Sequence, residues 1–363
     1  MQAEAERTDE EQASSWSIVA TARHALVAST VFVLVVALAL ALWHLKVVLA
    51  LLLLAITFAA AMRPSIERLA AWHIPRPLGV LLHYAAILGL IALFLAFVVP
   101  TATDQVQAAL QVAQAHHEGT GNGLKAKLLD VLARRLHHLP TANQLVRPAL
   151  SAGEQAVKVL VGILFTFAVA AYWIFERDSA VDLVTSLLPR PKRKTVRDTW
   201  TLIDQKLGAF VRGQLILIAF VSTLASIALA LAGEPYWLLI GIATGFLEIV
   251  PVVGPLAALL LAAGVGLTVS WHTAAIAAAA LLAIRVLQDY LVTPRVLGGA
   301  VGLSPLLTLV SVSVIGVLLG GFYVLLAVPI ASLIATIVDV TARGIDPADV
   351  DVPTVIFPPQ DTG

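Results

Sequence analysis

Long runs of apolar residues without a charged side chain constrain this chain more than any other feature. A membrane-crossing helix needs about 20 such residues to span a hydrocarbon core about 30 Å thick. The first run covers residues 25–45, and the runs that follow are 47–62, 78–99, 158–175 and 213–233. An Arg63-Pro64 pair is expected to end the second run. After Tyr236 the chain stays apolar almost to Asp339. The pattern predicts an all-α polytopic membrane protein with about eight transmembrane helices, one or two Pro/Gly-broken or re-entrant hairpins and a small helical extramembrane module.

The composition excludes several classes of function. Hydrophobic residues make up 59% of the chain and charged residues only 13%, whereas about a quarter of an ordinary soluble domain is charged. The formal net charge is zero, which argues against a nucleic-acid partner. Cysteine is absent, so no thiolate metal site can form. No Walker loop, HExxH or GxSxG motif occurs, so we expect a protein that is not an enzyme and has no cofactor, although H⁺ or Na⁺ coupling stays possible.

Basic residues in the short connections predict the orientation in the membrane. Arg63, Arg68 and Arg76 follow the second run, and a basic cluster lies between Arg190 and Arg197. Under the positive-inside rule both connections, and therefore both termini, are expected to be cytoplasmic. The predicted segments are a cytoplasmic tail (1–22), helices 1–3 (23–99), an outer module (100–157), helix 4 (158–176), a basic cytoplasmic linker (177–212), a core transport region (213–339) and a cytoplasmic tail (340–363). We expect the tail after Arg343 to be mobile, because it is rich in Asp and Pro.

The outer module is predicted to be helical. Residues 104–114 and 124–139 are amphipathic, and a Gly-rich turn separates them. Two histidine pairs, His116-His117 and His137-His138, lie here. Without acidic or cysteine neighbours at ligand spacing, solvated histidines are a better interpretation than a metal site.

Polar residues beside helix breakers concentrate in three places of the core region. The first holds Glu248, Pro251, Gly254 and Pro255, in the middle of an apolar run of residues 236–270. That run is too long for one upright span and short for two, so it predicts a broken helix or re-entrant hairpin with Glu248 at its tip. The alternative is a tight turn between two full spans, with Glu248 at the water interface.

The second place combines charge with proline. Arg285 and Asp289 lie at i and i+4, so they share one face of a helix and can neutralise each other. Gln288 lies beside them, and Pro294-Arg295 follow. One hypothesis is a polar gate or site at the end of a span. A structural ion pair that ends a helix is the other, and the residues alone do not decide between them.

The third place is an uncharged run of residues 296–338. Gly302 and Pro305 lie near its start, Gly320-Gly321 near its middle and Pro329 further on. The length fits a second hairpin that turns near Gly320-Gly321. Small residues in these spans also allow close helix contact, which makes a homo-oligomer plausible. Interrupted segments in two corresponding places are a sequence indicator of a transporter's binding site.

These motifs together resemble the autoinducer-2 exporter family of bacterial inner-membrane proteins, the PerM-type permeases. The resemblance runs over nearly the whole chain and depends on five short segments. They are Arg212-Gly213-Gln214, Glu248-Ile249-Val250-Pro251-Val252-Val253-Gly254-Pro255, Pro294-Arg295-Val296-Leu297-Gly298, Gly302-Leu303-Ser304-Pro305 and Leu325-Leu326-Ala327-Val328-Pro329. The chain departs from the family where Arg285, Gln288 and Asp289 replace a common Gln and Glu, and where Tyr323 replaces a common Gly.

The resemblance implies a secondary transporter in the bacterial inner membrane that exports a small polar solute. The transport pathway is then expected to contain Glu248, Pro251, Gly254, Pro255, Arg285, Gln288, Asp289, Pro294 and Arg295. Two alternatives stay open: a Na⁺(Li⁺)/H⁺ antiporter, and a non-transporting membrane scaffold that binds a partner through residues 101–157. The partners expected for the leading hypothesis are the lipid bilayer and a small polar solute or cation.

Overall fold

The computed structural model describes residues 26–27, 29–115, 146–251, 253–297 and 302–352. Its contacts divide the chain into two units, residues 1–52 and 53–363. The described part of the first unit contains α1 (Ser29–His44) and the beginning of α2. In it the Lys46 ammonium lies 4.1 Å from the centre of the Trp43 ring, a cation–π contact that suits a helix end at the membrane–water interface.

Helices make up the described part of the second unit, and no strand occurs in the described ranges. Their order is α2 (Lys46–Ala71), α3 (Arg76–Ala115), α4 (Val146–Ser186), α5 (Arg190–Leu231), α6 (Trp237–Leu247), α7 (Val253–Val269), α8 (Trp271–Leu287), a π-helical turn (Gln288–Val292), α9 (Thr293–Val296), α10 (Pro305–Leu319), α11 (Gly321–Val324), α12 (Ala327–Thr341) and a 3-10 turn (Pro347–Asp349). Among the described residues, five helices are long and apolar enough to cross a membrane, and the others that are apolar are shorter. The all-α polytopic membrane fold is thus confirmed.

Burial follows the pattern of a protein in lipid. Small residues fill the helix contacts: Ala55, Ala59 and Ala170 are at most 1% exposed and pack together where α2 meets α4. Large apolar side chains cover the outside instead, as Leu160 and Val317 do. Lipid tails solvate leucine as well as a protein core does, so helices associate where small side chains let their backbones approach.

The sequence predicts that the second span ends at Arg63-Pro64, but the helix does not end there. Helix α2 continues through Pro64 to Ala71. A proline inside a helix leaves the carbonyl four residues earlier, here that of Ala60, without its usual partner. The Nη1 atom of Arg212 donates to the Ala60 oxygen at 3.4 Å and to the Ala61 oxygen at 3.2 Å. This interhelical donor compensates for the missing bond, so the proline is tolerated.

Three other helices extend beyond the predicted membrane spans. Helix α3 runs unbroken through Pro100, so the third span passes into the expected outer module without a turn. The same holds for α4, which begins at Val146, well before residue 158. The rest of that module, with both histidine pairs, lies outside the described residues. On the other side, the helix predicted from residue 195 merges with the fifth span into the 42-residue α5.

The segment after Arg343 is docked where it is described, although we expected it to be mobile. Val352 is 4% exposed and packs with Leu202 and Ala209 of α5. Asp346 caps the 3-10 turn through the amide of Ala348. An apolar contact at Val352 therefore holds an otherwise polar segment against the first half of α5.

The third motif region contains the turn expected at Gly320-Gly321. Helix α10 ends at Leu319, and Gly320 has φ +104°, a conformation that favours glycine. Ser304 caps α10 by accepting from the amide of Leu307, with Pro305 as the first helical residue. Pro329 lies in the first turn of α12, where a missing N–H costs no helical bond.

Candidate functional site

Helix α6 is held tightly against α5 by two glycines. A Cβ added to Gly241 would lie 2.2 Å from Ser226 Oγ, and one added to Gly245 would lie 2.0 Å from Ser222 Oγ. No larger residue fits at either place. The Gly241-x-x-x-Gly245 spacing puts both glycines on one helix face, the arrangement that brings membrane helices into close contact. This packing fixes the position of the residue that ends α6, Glu248.

The chain breaks between α6 and α7 in a turn that needs glycine at position 254. Glu248 is the C-cap residue of α6, and α7 begins at Val253. A Cβ on Gly254 would lie 1.8 Å from the Leu247 carbonyl oxygen, so only glycine permits this approach. The two helices have 11 and 17 residues, or about 17 and 26 Å of length. Each is shorter than the hydrocarbon core of a bilayer.

The carboxylate of Glu248 is buried and held by two residues from α8 and its π turn. Its side chain is 8% exposed. Gln288 Nε2 donates to Oε2 at 2.8 Å, and Arg285 Nη1 lies 3.3 Å from both carboxylate oxygens. Gln288 itself is 3% exposed. The residues of the first two motif regions, which are 37 and 40 positions apart, therefore form one polar cluster.

Arg285 bridges two carboxylates. Its Nε donates to Asp289 Oδ2 at 2.8 Å, while its Nη1 faces Glu248. The i,i+4 pair expected from the sequence is present, and it is linked to a third charge. With one guanidinium and two carboxylates, the cluster carries a formal charge of −1. Charge-assisted bonds are usually 2.7–2.9 Å long, so the 3.3 Å contact to Glu248 is the weaker of the two.

A π-helical turn follows directly after Leu287, the last residue of α8, and positions Gln288. It covers Gln288–Val292, and the amide of Thr293 donates to the Gln288 carbonyl five residues earlier. Pro294 comes next and has no N–H to donate, so the helix already departs from the regular pattern here. Single π turns in membrane and soluble helices occur frequently at functional sites. Arg295, by contrast, is exposed and donates to the Leu291 carbonyl.

The polar cluster borders a cavity of about 210 Å³ that is lined by α5, α6, α7, α8 and the π turn. Its polar lining groups are Thr244, Glu248, Arg285 and Gln288. Apolar side chains and one proline form the rest: Val221, Pro255, Leu256, Ala258, Leu259, Leu281, Leu282 and Ile284. A small apolar cavity with a few convergent polar groups is typical of a binding site for a small molecule.

The predicted candidates thus divide into two groups. Glu248, Pro255, Arg285 and Gln288 line the cavity. The remaining five, which lie outside the lining, are Pro251, Gly254, Asp289, Pro294 and Arg295. Gly254 shapes the turn and Asp289 holds Arg285. The structure gives Pro251, Pro294 and Arg295 no contact with the cavity.

The Arg212-Gly213-Gln214 motif joins three segments to α5. Arg212 bonds α2 as described above, and Gln214 Nε2 donates to the Glu248 backbone carbonyl at 3.2 Å. A Cβ on Gly213 would lie 2.4 Å from Leu297 Cδ2, so the residue after α9 packs on this glycine. The motif is structural, and through Gln214 it also fixes the end of α6.

Sequence reasoning missed two buried charged residues. Lys206 is 7% exposed, and its Nζ donates to Thr336 Oγ1 of α12 at 2.9 Å. Glu234 is 2% exposed in the connection between α5 and α6. Both lie at the edges of apolar runs, where a charged residue normally marks the end of a span and attracts no further attention. The Gly241-x-x-x-Gly245 spacing was a sequence signal for the close α5–α6 contact.

Comparison with known proteins agrees with this architecture. The chain is 27% identical to YueF of Bacillus subtilis over 292 residues, which cover 74% of this chain and 78% of YueF. It is 24% identical to YrrI of the same organism over 297 residues (78% and 83%), and YueF and YrrI are both named as candidate transport proteins. It is also 24% identical over 223 residues (59% and 62%) to PerM of Escherichia coli K12, named as a candidate permease.

The names of these relatives specify neither a solute nor a coupling ion, so the antiport alternative gains no support from them. Residues 32–343, most of the chain, match the family described as AI-2E family transporters. With the transmembrane helices, the broken α6–α7 pair and the polar cavity beside it, this match leads to one conclusion: the chain belongs to the AI-2E transporter family.

Proposed function

We propose that this protein is a secondary transporter whose solute passes through the cavity between α5, α6, α7 and α8. The buried Glu248 carboxylate at the α6–α7 break is the observation that carries the proposal. A charged group at membrane depth is costly, and such groups usually belong to a transport path or binding site. Here the charge borders a cavity beside two helix ends, the arrangement found around the sites of secondary transporters.

The cavity indicates a small and partly polar solute. A volume of about 210 Å³ corresponds to roughly seven water molecules at about 30 Å³ each. The lining offers a carboxylate, a guanidinium and an amide that contact one another, the Thr244 hydroxyl, and aliphatic carbons elsewhere. A molecule with hydroxyl or amine groups at one end matches that distribution.

Arg285 gives the site a means of exchange. It contacts Glu248 at 3.3 Å and Asp289 at 2.8 Å, and its own side chain is 35% exposed. A solute that donates hydrogen bonds to Glu248 can displace the longer contact, while Asp289 keeps the guanidinium paired. The buried charge then retains a partner throughout binding, which avoids the large cost of leaving it uncompensated.

Export from the cytoplasm across the bacterial inner membrane is the direction that we propose, with both termini cytoplasmic. The resemblance to exporters implies the direction, and the basic residues at 63–76 and 190–197 support the orientation under the positive-inside rule. The scaffold alternative concerns residues 101–157, of which 116–145 lie outside the described residues.

Flux in proteoliposomes tests the proposal. A panel of small polar metabolites is screened for efflux by the native protein, and the best solute is then measured with Glu248→Gln and Asp289→Asn. We expect Glu248→Gln to reduce flux at least about tenfold, the effect of losing one charged bond of roughly 1.5–3 kcal/mol. Glu176→Gln, at an exposed position on α4, is the control and should transport normally. Native flux from both site variants would refute the proposal.

A further inference from the structure

A second buried carboxylate, Glu234, lies in the connection that joins α5 to α6. Its side chain is 2% exposed, and neither carboxylate oxygen has a hydrogen-bond partner in the described part of the chain. No salt bridge involving Glu234 is present there either. An ionised carboxylate in such surroundings is strongly unfavourable, and a group of this kind normally becomes neutral by binding a proton.

The backbone fixes Glu234 in this buried position. Helix α5 ends in a Schellman motif: Gly233 has φ +72° and donates to the Ala230 carbonyl, and the Glu234 amide donates to the Leu229 carbonyl. The residue that follows the glycine in this motif commonly makes an apolar contact with the helix. A glutamate therefore occupies a position where its side chain is directed against the protein.

Glu234 lies beside a close contact between α7 and α8. A Cβ added to Gly266 of α7 would lie 2.7 Å from Ala274 Cα of α8 and 3.1 Å from Glu234 Oε2. The carboxyl group thus lies against Gly266, at a place where α7 and α8 leave no room for a larger side chain. Two titratable residues lie at this end of the elements around Glu234. Tyr236 is in the same connection, and His272 is exposed in the first turn of α8. Helix α7 contains no titratable residue.

An apolar layer separates Glu234 from the Glu248 cavity. Each of the four helices lines the cavity and, about one turn further on, supplies at least one residue to this layer. The layer consists of Ala225, Leu229, Ile240, Ala262 and Ala277, with Leu281 and Ile284 at the cavity side. Another turn further along lie Glu234, Gly266 and Ala274. The step from Ala258 or Leu281 to the Glu234 level is seven or eight residues, or about 12 Å.

From this arrangement we infer that Glu234 is a proton-binding residue that controls access to the core from the α5–α6 connection. With a proton bound, the neutral carboxyl group stays packed at the contact between α7 and α8, and the apolar layer that separates it from the cavity remains closed. When the proton leaves, the carboxylate must reach water, so α7 and α8 separate at Gly266 and Ala274. The inference rests on the proposed function, since it supplies the proton-controlled gate of the same pathway.

The titration range supports this role near neutral pH. Desolvation raises the pKa of Glu234 from 4.5 to about 7. If separation follows ionisation, about one tenth of the molecules are open at pH 6 and about nine tenths at pH 8. The open fraction therefore changes roughly ninefold across that interval.

Thiol labelling measures the opening without any transported solute. The chain contains no cysteine, so Ala274→Cys introduces a single thiol at a position that is 6% exposed. The full-length variant in nanodiscs is treated with a membrane-impermeant maleimide between pH 6 and pH 8. His272→Cys, exposed in the same helical turn, corrects for the intrinsic pH dependence of thiol reactivity. We expect the corrected labelling rate at position 274 to rise roughly ninefold.

Adding Glu234→Gln to the Ala274→Cys variant should keep labelling slow at every pH, because a neutral amide cannot ionise, whereas Glu176→Gln should leave the rise intact. A corrected rate that does not change between pH 6 and pH 8 in the Ala274→Cys protein overturns the inference, even if the Glu234 variant fails to fold. A rise that persists with Glu234→Gln overturns it as well. Labelling needs no flux, so its failure is distinguishable from normal flux in both Glu248→Gln and Asp289→Asn, which refutes the transport pathway instead.

Discussion

Replacing Arg285 by glutamine should destabilise the protein through the charge that remains at Glu248. The Glu248 side chain is 8% exposed, and it would keep only the Gln288 amide as a partner. Removing one partner of a fully buried ion pair costs about 3–5 kcal/mol. Because Arg285 is 35% exposed and its contact to Glu248 is 3.3 Å long, water offsets part of that cost. We therefore expect Arg285→Gln to lower the free energy of unfolding by about 2 kcal/mol.

The melting temperature in detergent measures this effect. In proteins of this size, 1 kcal/mol corresponds to about 2 °C, so Arg285→Gln should melt about 4 °C below the native protein. The double variant Arg285→Gln/Glu248→Gln carries no buried charge at this site and should recover most of the loss. Arg295→Gln removes an exposed arginine that donates to the Leu291 carbonyl and should change little. The reasoning is refuted if Arg285→Gln melts like Arg295→Gln, or if the double variant is less stable than the single one.

Two further predictions concern the α6–α7 turn and Glu234. Gly254→Ala places a Cβ 1.8 Å from the Leu247 carbonyl oxygen, so we expect the free energy of unfolding to fall by at least about 1–3 kcal/mol. Gly264→Ala, whose added Cβ would have no atom within 4 Å, should be neutral or stabilising. Equal melting temperatures of the two variants would contradict the tight turn at Gly254. Since burial raises the pKa of Glu234 from 4.5 to about 7, the folded protein holds a proton that the unfolded chain releases in that window, and stability falls as the pH rises through it. Glu234→Gln should therefore melt above the native protein at pH 8, with a difference that narrows toward pH 5, and a constant difference would argue against the titration.

The polar core could be predicted in parts from the sequence, because charge inside apolar runs is conspicuous. Glu248 and Arg285 were each identified as candidates beside helix breakers. Their contact could not be predicted, because it depends on how α6, α7 and α8 fold back on one another. The π turn that directs Gln288 toward Glu248 has no reliable sequence signature beyond the nearby Pro294.

One boundary failed because a proline was taken as the end of a helix. Pro64 lies inside the continuous helix α2. In water such a residue usually interrupts a helix, but in a membrane protein a neighbouring donor such as Arg212 can compensate for the missing bond. Glu234 was overlooked because its sequence context is ordinary. A glutamate after Ala-Gly at the end of an apolar run is typical of a solvated turn, and only its burial in the structure distinguishes Glu234 from such a residue.

Protection of the cavity by the transported solute tests the central claim most directly. Ala258 lines the cavity and is 1% exposed, so Ala258→Cys places a single thiol in the wall of the cavity that Glu248 borders. His272→Cys is the control outside the cavity. The account predicts that the solute found in the efflux screen slows labelling of position 258 in proportion to its occupancy and leaves position 272 unchanged. Equal labelling of position 258 with and without saturating solute would contradict passage through this cavity.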